Sequence, residues 1–287
     1  MRRTSLAGIA GWTAFAAVAL AACGGPVTTS SPPVIAHQPS PVLRAALAAW
    51  SNFPATASKR PIVILDGDDV NAPAHGFTDD ALKEAFLEGA LAGPTSYPRG
   101  PSASDDFELI TPQQALTILK TPEGSGPPAT VNIQIAKVVL STDNFQTDRG
   151  NLPLPAWQFW MQGVQNPANV LAISPKEMFT PPTSNNRPLG VGGGTIGADD
   201  RSLLLTFVGP PAGMGPCEAN YVAASAESAS AVAVSLRAIT SPKYKNVACD
   251  LVAVQRHLTI RLLTALRGRV LVDASSLMAV PVTKGSE

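Results

Sequence analysis

The chain has 287 residues, with 21 Lys and Arg against 21 Asp and Glu and a formal net charge of zero. Charged residues make up 15%, apolar ones 45%, and 27 Pro and 23 Gly break up the rest. This excludes a disordered polyelectrolyte and leaves enough chain for one large or two small cores, while the lack of any Lys/Arg run argues against a nucleic-acid partner.

Met1-Arg2-Arg3 is a small positive head, and Leu6–Leu20 is an apolar run with Thr13 its only polar member. The run is too short to span a bilayer comfortably. It closes on Leu20-Ala21-Ala22-Cys23, the order of a bacterial lipobox. That order implies a diacylglyceryl group on the Cys23 thiol, cleavage before it, and a lipoprotein signal peptide over 1–22. Buried methylenes contribute about 0.8 kcal/mol each, so two or more acyl chains hold a protein stably at the membrane. Residues 23–40 begin Gly24-Gly25-Pro26 and continue rich in Ser, Thr and Pro, as a tether would. The expected location is the extracytoplasmic face of the cell membrane. Arg2-Arg3 is followed by Thr-Ser-Leu and lacks the rest of a twin-arginine motif. Losing both lowers the 21 basic residues to 19 against 21 acidic ones.

Residues 41–180 are expected to form an α+β domain of short helices plus an antiparallel sheet. Val42, Leu43, Ala46, Leu47 and Trp50 share one helical stripe ended by Pro54. Pro61–Leu65 reads as a short strand closed by Asp66-Gly67-Asp68-Asp69, a turn whose carboxylates lack calcium-loop spacing. Thr78 is placed as the cap of a helix carrying Ala81, Leu82, Ala85 and Phe86. Thr111-Pro112-Gln113-Gln114 is a capping box with Pro at the first helical position. Val131, Ile133 and Ile135 alternate, then Val138 and Leu140 take the opposite phase, which predicts a β-bulge at Ala136–Lys137. The strand turns at Asp148-Arg149-Gly150 and returns with Trp157, Phe159 and Met161 on one face. Val170–Ile173 is a third strand.

Thr147-Asp148-Arg149-Gly150, Leu154-Pro155-Ala156-Trp157, Asn166-Pro167 and Val170-Leu171-Ala172, with the later Gly215-Pro216-Cys217 and Tyr221, resemble a family of actinobacterial exported lipoproteins. That family has no assigned activity, so the resemblance implies envelope location and a related fold only.

The Gly/Pro-rich stretch 181–200 reads as a linker; it lacks the helix and Lys-Ser/Thr of a phosphate loop. Residues 201–287 are expected to form a mostly antiparallel β domain. Leu203–Val208 reads as a buried strand, Ala219–Glu227 and Ala231–Ile239 as a hairpin, and Leu258, Ile260 and Leu262 as the inner face of a strand that points His257 outward beside Arg261. Ala248–Val254 is also compatible with helix. Cys217 and Cys249 remain as a pair in an exported chain, and a disulfide between them closes a loop of about 33 residues worth roughly 3–4 kcal/mol. Two free thiols are the alternative. A metal site lacks a third ligand, since His257 stands alone, and no cofactor or metal is expected.

No Gly-x-Ser-x-Gly, Ser-x-x-Lys, HExxH, Walker loop or dinucleotide fingerprint occurs. His37 falls in the tether and His75 beside a turn; Asp105, Asp106 and Glu108 are ascribed to helix-start electrostatics. The reading favoured is a non-catalytic binding or accessory module that engages an envelope protein or glycan. The rival is an envelope hydrolase acting on wall or lipid components, with a site drawn from Asp66, Asp68, His75 or Asp148.

Overall fold

Ser40 starts α1 (Pro41–Ala49) by accepting from the Leu43 N–H, with Pro at the first helical position. The computed structural model describes residues 39–65, 69–73, 76–104, 107–122, 129–182, 190–244, 248–249 and 252–285. The signal peptide 1–22, Cys23, His37, Asp66, Asp68, His75, Asp105 and Asp106 lie outside the described residues. After β1 (Val70–Asn71) comes α2 (Asp80–Leu87). Its cap is Asp79 rather than the expected Thr78: the Asp79 carboxylate accepts from Leu82 N at 2.9 Å, adding charge that suits the helix dipole. Short β2 (Leu91–Ala92), β3 (Ala103–Ser104) and β4 (Phe107–Glu108) precede α3 (Pro112–Leu119). The α3 capping box forms as expected, with Thr111 N–H donating to Gln114 Oε1 at 2.8 Å and Gln114 N–H to Thr111 Oγ1 at 3.2 Å. Glu108 serves no helix start; it lies on β4 and pairs with Lys176 at 3.2 Å.

The long hairpin β5 (Ile133–Thr147) and β6 (Gly150–Met161) adds β7 (Ala168–Leu171) and β1 on one side and β2 on the other. All pairings are antiparallel except β2 with β5. The register shifts between Ile135 and Lys137, which is the bulge that the phase change predicts. Trp157, Phe159 and Met161 face α2 and α3, packing with Ala85, Phe86, Leu116 and Leu119. Trp157 also donates its indole N–H to the Ile110 carbonyl at 2.9 Å. The opposite face carries Phe145, Leu154, Ala156 and Leu171 under Ile62 and Ile173. Pro61–Leu65 makes bridges (Ile62 to Met178, Ile64 to Thr147) but no continuous strand, and its apolar residues are still buried in two separate clusters or their margins.

The second half forms two sheets. Strands β8 (Gly193–Ile196), β9 (Ser202–Gly209), β12 (Val254–Arg261) and β14 (Val282–Lys284) order as β12-β9-β8-β14; β10 (Asn220–Glu227), β11 (Ala231–Ile239) and β13 (Val270–Asp273) order as β10-β11-β13. β11 and β13 lie in parallel, as do β14 and β8. The first half of β11 is buried on both faces. Ala231 and Ala233, with Val270 and Val272 of β13, pack on Leu43, Ala46 and Trp50 of the first helix. Val232 and Val234, with Leu271, pack on Leu203, Leu205 and Ile196. The result is a helix, a sheet and a second sheet stacked in three layers.

This stacking changes the expected boundaries. α1, assigned to the 41–180 domain, is built into the core of the 201–287 sheets, and the expected linker 181–200 supplies β8. By its contacts Pro39–Glu287 is one compact unit. β9 departs from its expected burial too: Leu203, Leu205 and Phe207 point inward, whereas Leu204 and Val208 are exposed, because the outer face of this sheet is uncovered. The chain is α+β, antiparallel-rich, with the Cys217–Cys249 disulfide in its C-terminal part, Cα to Cα 5.5 Å. Among the described residues no helix is long and apolar enough to cross a membrane.

Candidate functional site

The turn Thr147–Gly150 closes the β5–β6 hairpin and is the point where both halves of the fold meet. Its backbone is fixed from within: the Thr147 hydroxyl, fully buried, donates to the Gly150 carbonyl at 2.7 Å and accepts from Arg149 N at 3.1 Å. Gly150 has φ +86°, and a Cβ there would meet Thr283 Cγ2 at 2.9 Å. Glycine is required on both counts.

Asp148 is 4% exposed. Its N–H donates to the Val63 carbonyl at 3.1 Å, its Oδ1 accepts from Val63 N at 3.2 Å, and its carbonyl accepts from Val282 N at 3.0 Å. Its Oδ2 accepts from Arg60 Nη2 in a buried ion pair. Arg60 in turn donates from Nε to the Gly268 carbonyl and lies over the Phe53 ring, 4.7 Å from its centre. Arg149 turns the other way and donates from Nη2 to the carbonyls of Arg60 (2.8 Å) and Pro61 (2.9 Å). Partial burial, and then the like charge of Arg60, hold the Arg149 pKa below the usual arginine value, against the pull of Asp148.

A loop over 263–269 faces this turn. Glu227 organises it, accepting from Leu263 N (2.6 Å), Thr264 N (3.2 Å), Thr264 Oγ1 (2.9 Å) and Arg269 Nη1 (2.9 Å). Burial would raise the Glu227 pKa, but these hydrogen bonds outweigh it and leave the carboxyl below its ordinary value. Leu266 N bonds the Asp200 carbonyl at 2.8 Å. Gly268 passes so close to Ala55 that a Cβ would stand 2.2 Å from its carbonyl oxygen.

Between turn and loop lies an open cleft of about 500 Å³, walled by Ile196, Leu266 and Val282 and by the charged residues Arg60, Asp148, Arg149, Asp200, Arg267, Arg269 and Lys284. Five basic residues thus line it against two acidic ones in a chain of zero net charge. Asp200 and Arg267, both on the cleft, hold left-handed backbone at φ 53° and 48°, a costly conformation for residues with a Cβ that clusters at functional sites. The cleft gathers basic residues although the sequence holds no Lys/Arg run. Arg60, Arg149, Arg267 and Lys284 come from four distant stretches, and only the Asp-Arg of the turn motif marked the place.

Of the residues weighed for a hydrolase, Asp148 is in the cleft, spent on Arg60 and Val63. Asp66, Asp68 and His75, like the lipidation residue Cys23, lie outside the described residues. His257 is exposed on β12, its Nδ1 3.2 Å from Thr206 Oγ1, and Arg261 beside it pairs with Asp199 at 3.1 Å. Cys217 and Cys249 tie the chain ahead of β10 to the chain ahead of β12, away from the cleft lining. Among the described residues no cluster of three His, Cys, Asp or Glu could hold a metal ion. No protein-family model, curated protein or solved structure matches the chain.

Proposed function

We propose that this protein is an exported binding or accessory module, lipid-anchored through Cys23 at the extracytoplasmic face of the cell membrane, and that its ligand, part of an envelope glycan or protein, seats in the cleft beside the Thr147–Gly150 turn. One observation carries the binding part. The cleft is open, of ligand size and lined by several charged residues, yet its buried carboxylate Asp148 is already consumed by Arg60 Nη2 and Val63 N. A general base needs a free lone pair within reach of its proton, and Asp148 offers its lone pairs to structure. The anchor rests on the Leu20-Ala21-Ala22-Cys23 order and the Ser/Thr/Pro-rich stretch after it.

Two measurements test the reading. Cys23→Ser should move the protein from the membrane fraction to the soluble fraction and remove acyl mass from its N-terminus; an unaltered fraction and mass would refute the anchor. A photo-reactive residue at exposed Thr283, on the cleft wall, should capture an envelope component in cells that competes for the cleft. Repeated failure to capture anything there would refute the binding role.

A further inference from the structure

We infer that the cleft is a site for a phosphoryl group, borne by a soluble phosphate monoester or by a lipid headgroup. This deepens the binding-module reading and rests on it, adding the class of ligand. The charges decide the sign. Arg269 is neutralised by Glu227 at 2.9 Å and Arg60 by Asp148. Arg149, Arg267 and Lys284 make no ion pair among the described residues, and of the lining acids only Asp200 is left to set against them. Like charges gathered in one cleft repel, and an anion between them relieves that repulsion.

A second observation is independent of charge counting. Arg60 Nη1 is buried and has no hydrogen-bond partner among the described residues, and its residue lines the cleft. A buried guanidinium donor left without an acceptor is costly, and an oxyanion in the cleft supplies one once the Arg60 side chain shifts slightly toward it. Asp200 and Arg267 hold left-handed backbone on the same wall, so that the loop bearing Arg267 is set in place at a cost in conformational energy.

The number of cations without an ion pair selects phosphoryl over carboxylate. A phosphate monoester carries about −1.5 to −2 charges at neutral pH and three strong acceptor oxygens, which can be shared by groups from three separate stretches of chain. A carboxylate has one charge and satisfies one guanidinium fork.

The test uses the full-length chain in mild detergent. Inorganic phosphate and glycerol 1-phosphate should bind by calorimetry, more weakly as salt rises, and should raise the melting temperature. Acetate should bind far less. The double variant Arg267→Gly with Lys284→Gln removes two cations without opening the core. Glycine also suits the left-handed backbone at 267, so the variant keeps its melting temperature without ligand. Its phosphate affinity should fall about tenfold or more, since hydrogen bonds to charged groups are each worth at least a factor of this order. Binding of wild type to vesicles of phosphatidylcholine with phosphatidic acid, but not of phosphatidylcholine alone, with no binding of soluble phosphates, identifies a headgroup as the source; binding of the soluble esters identifies a solute. Both require loss in the double variant. The inference is overturned if no phosphate probe binds, if acetate competes equally, or if the double variant binds unchanged. Should the Thr283 crosslinker capture a component while every phosphate probe fails, the ligand class falls and the binding role stands; if both fail, both fall.

Discussion

At Asp148 one carboxylate and its own backbone hold together three stretches far apart in sequence: Arg60–Val63, the β5–β6 hairpin, and the start of β14. Its side chain is 1% exposed and that of Arg60 16%, so the pair is shielded from water, and removing one partner strands the other. Asp148→Ala is therefore expected to cost about 3–5 kcal/mol, read as a lower denaturation midpoint; a loss below about 1 kcal/mol would mean that water or a shift of Arg60 replaces the carboxylate. Glu227 makes a different prediction because its pKa is lowered on folding from the ordinary 4.5. A carboxyl of this kind stabilises fully above its unfolded pKa, and its contribution disappears as pH falls through the lower folded value. Glu227→Gln should destabilise at neutral pH and progressively less once the pH is well below 4.5. Denaturant midpoints of the two proteins at both pH values check this, and a gap that stays constant or widens in acid contradicts it.

Elements that depend on near neighbours were legible in the sequence. The α3 capping box needs only Thr111 and Gln114, the bulge only the change of phase around Lys137, and the β10–β11 hairpin only its spacing, which pairs Glu227 with Val232. What escaped reading depends on what covers an element. The apolar run Leu203–Val208 resembles a strand buried on both faces, yet it is β11, with its Ala/Val alternation, that has two covers. Small residues, Ala231 and Ala233, face α1 because the helix comes close to the sheet there, while valines fill the wider gap to the other sheet. Gly193 and Gly194 suggested a linker because glycine is a poor strand former; β8 persists because β9 and β14 pair with it on both sides. If the α1 side is tightly closed, Ala233→Leu should cost about 1–3 kcal/mol through overpacking, measured by urea denaturation. A neutral result would show that α1 can back away from the sheet.

Across the molecule, the same closeness of α1 to the second half decides what can fold by itself. Residues 201–287 look like a self-contained β domain when taken in chain order, and they contain the disulfide that shortens their unfolded chain by roughly 3–4 kcal/mol of loop entropy. They do not contain their own cover. Trp50 is fully buried, its indole N–H donates to the Leu277 carbonyl at 2.9 Å, and its ring stacks on Phe179 at 5.4 Å. Leu43, Ala46 and Phe53 complete the surface over Val270 and Val272, while Ile196 and Val191, also outside 201–287, complete the other core. A fragment of 201–287 would expose the helix-facing side of β11 and β13, lose β8 from between β9 and β14, and lose the turn whose Asp148 carbonyl anchors Val282. The cleft would go too, since Arg60 and Arg149 make one wall and Arg267 and Lys284 the other. The isolated fragment, oxidised, is expected to show no cooperative thermal transition and to be digested rapidly under conditions in which the full chain resists protease. A sharp melt and a protease-resistant fragment would mean that α1 and β8 merely cover a sheet pair able to stand without them, and the cleft would then be a seam between two independent bodies.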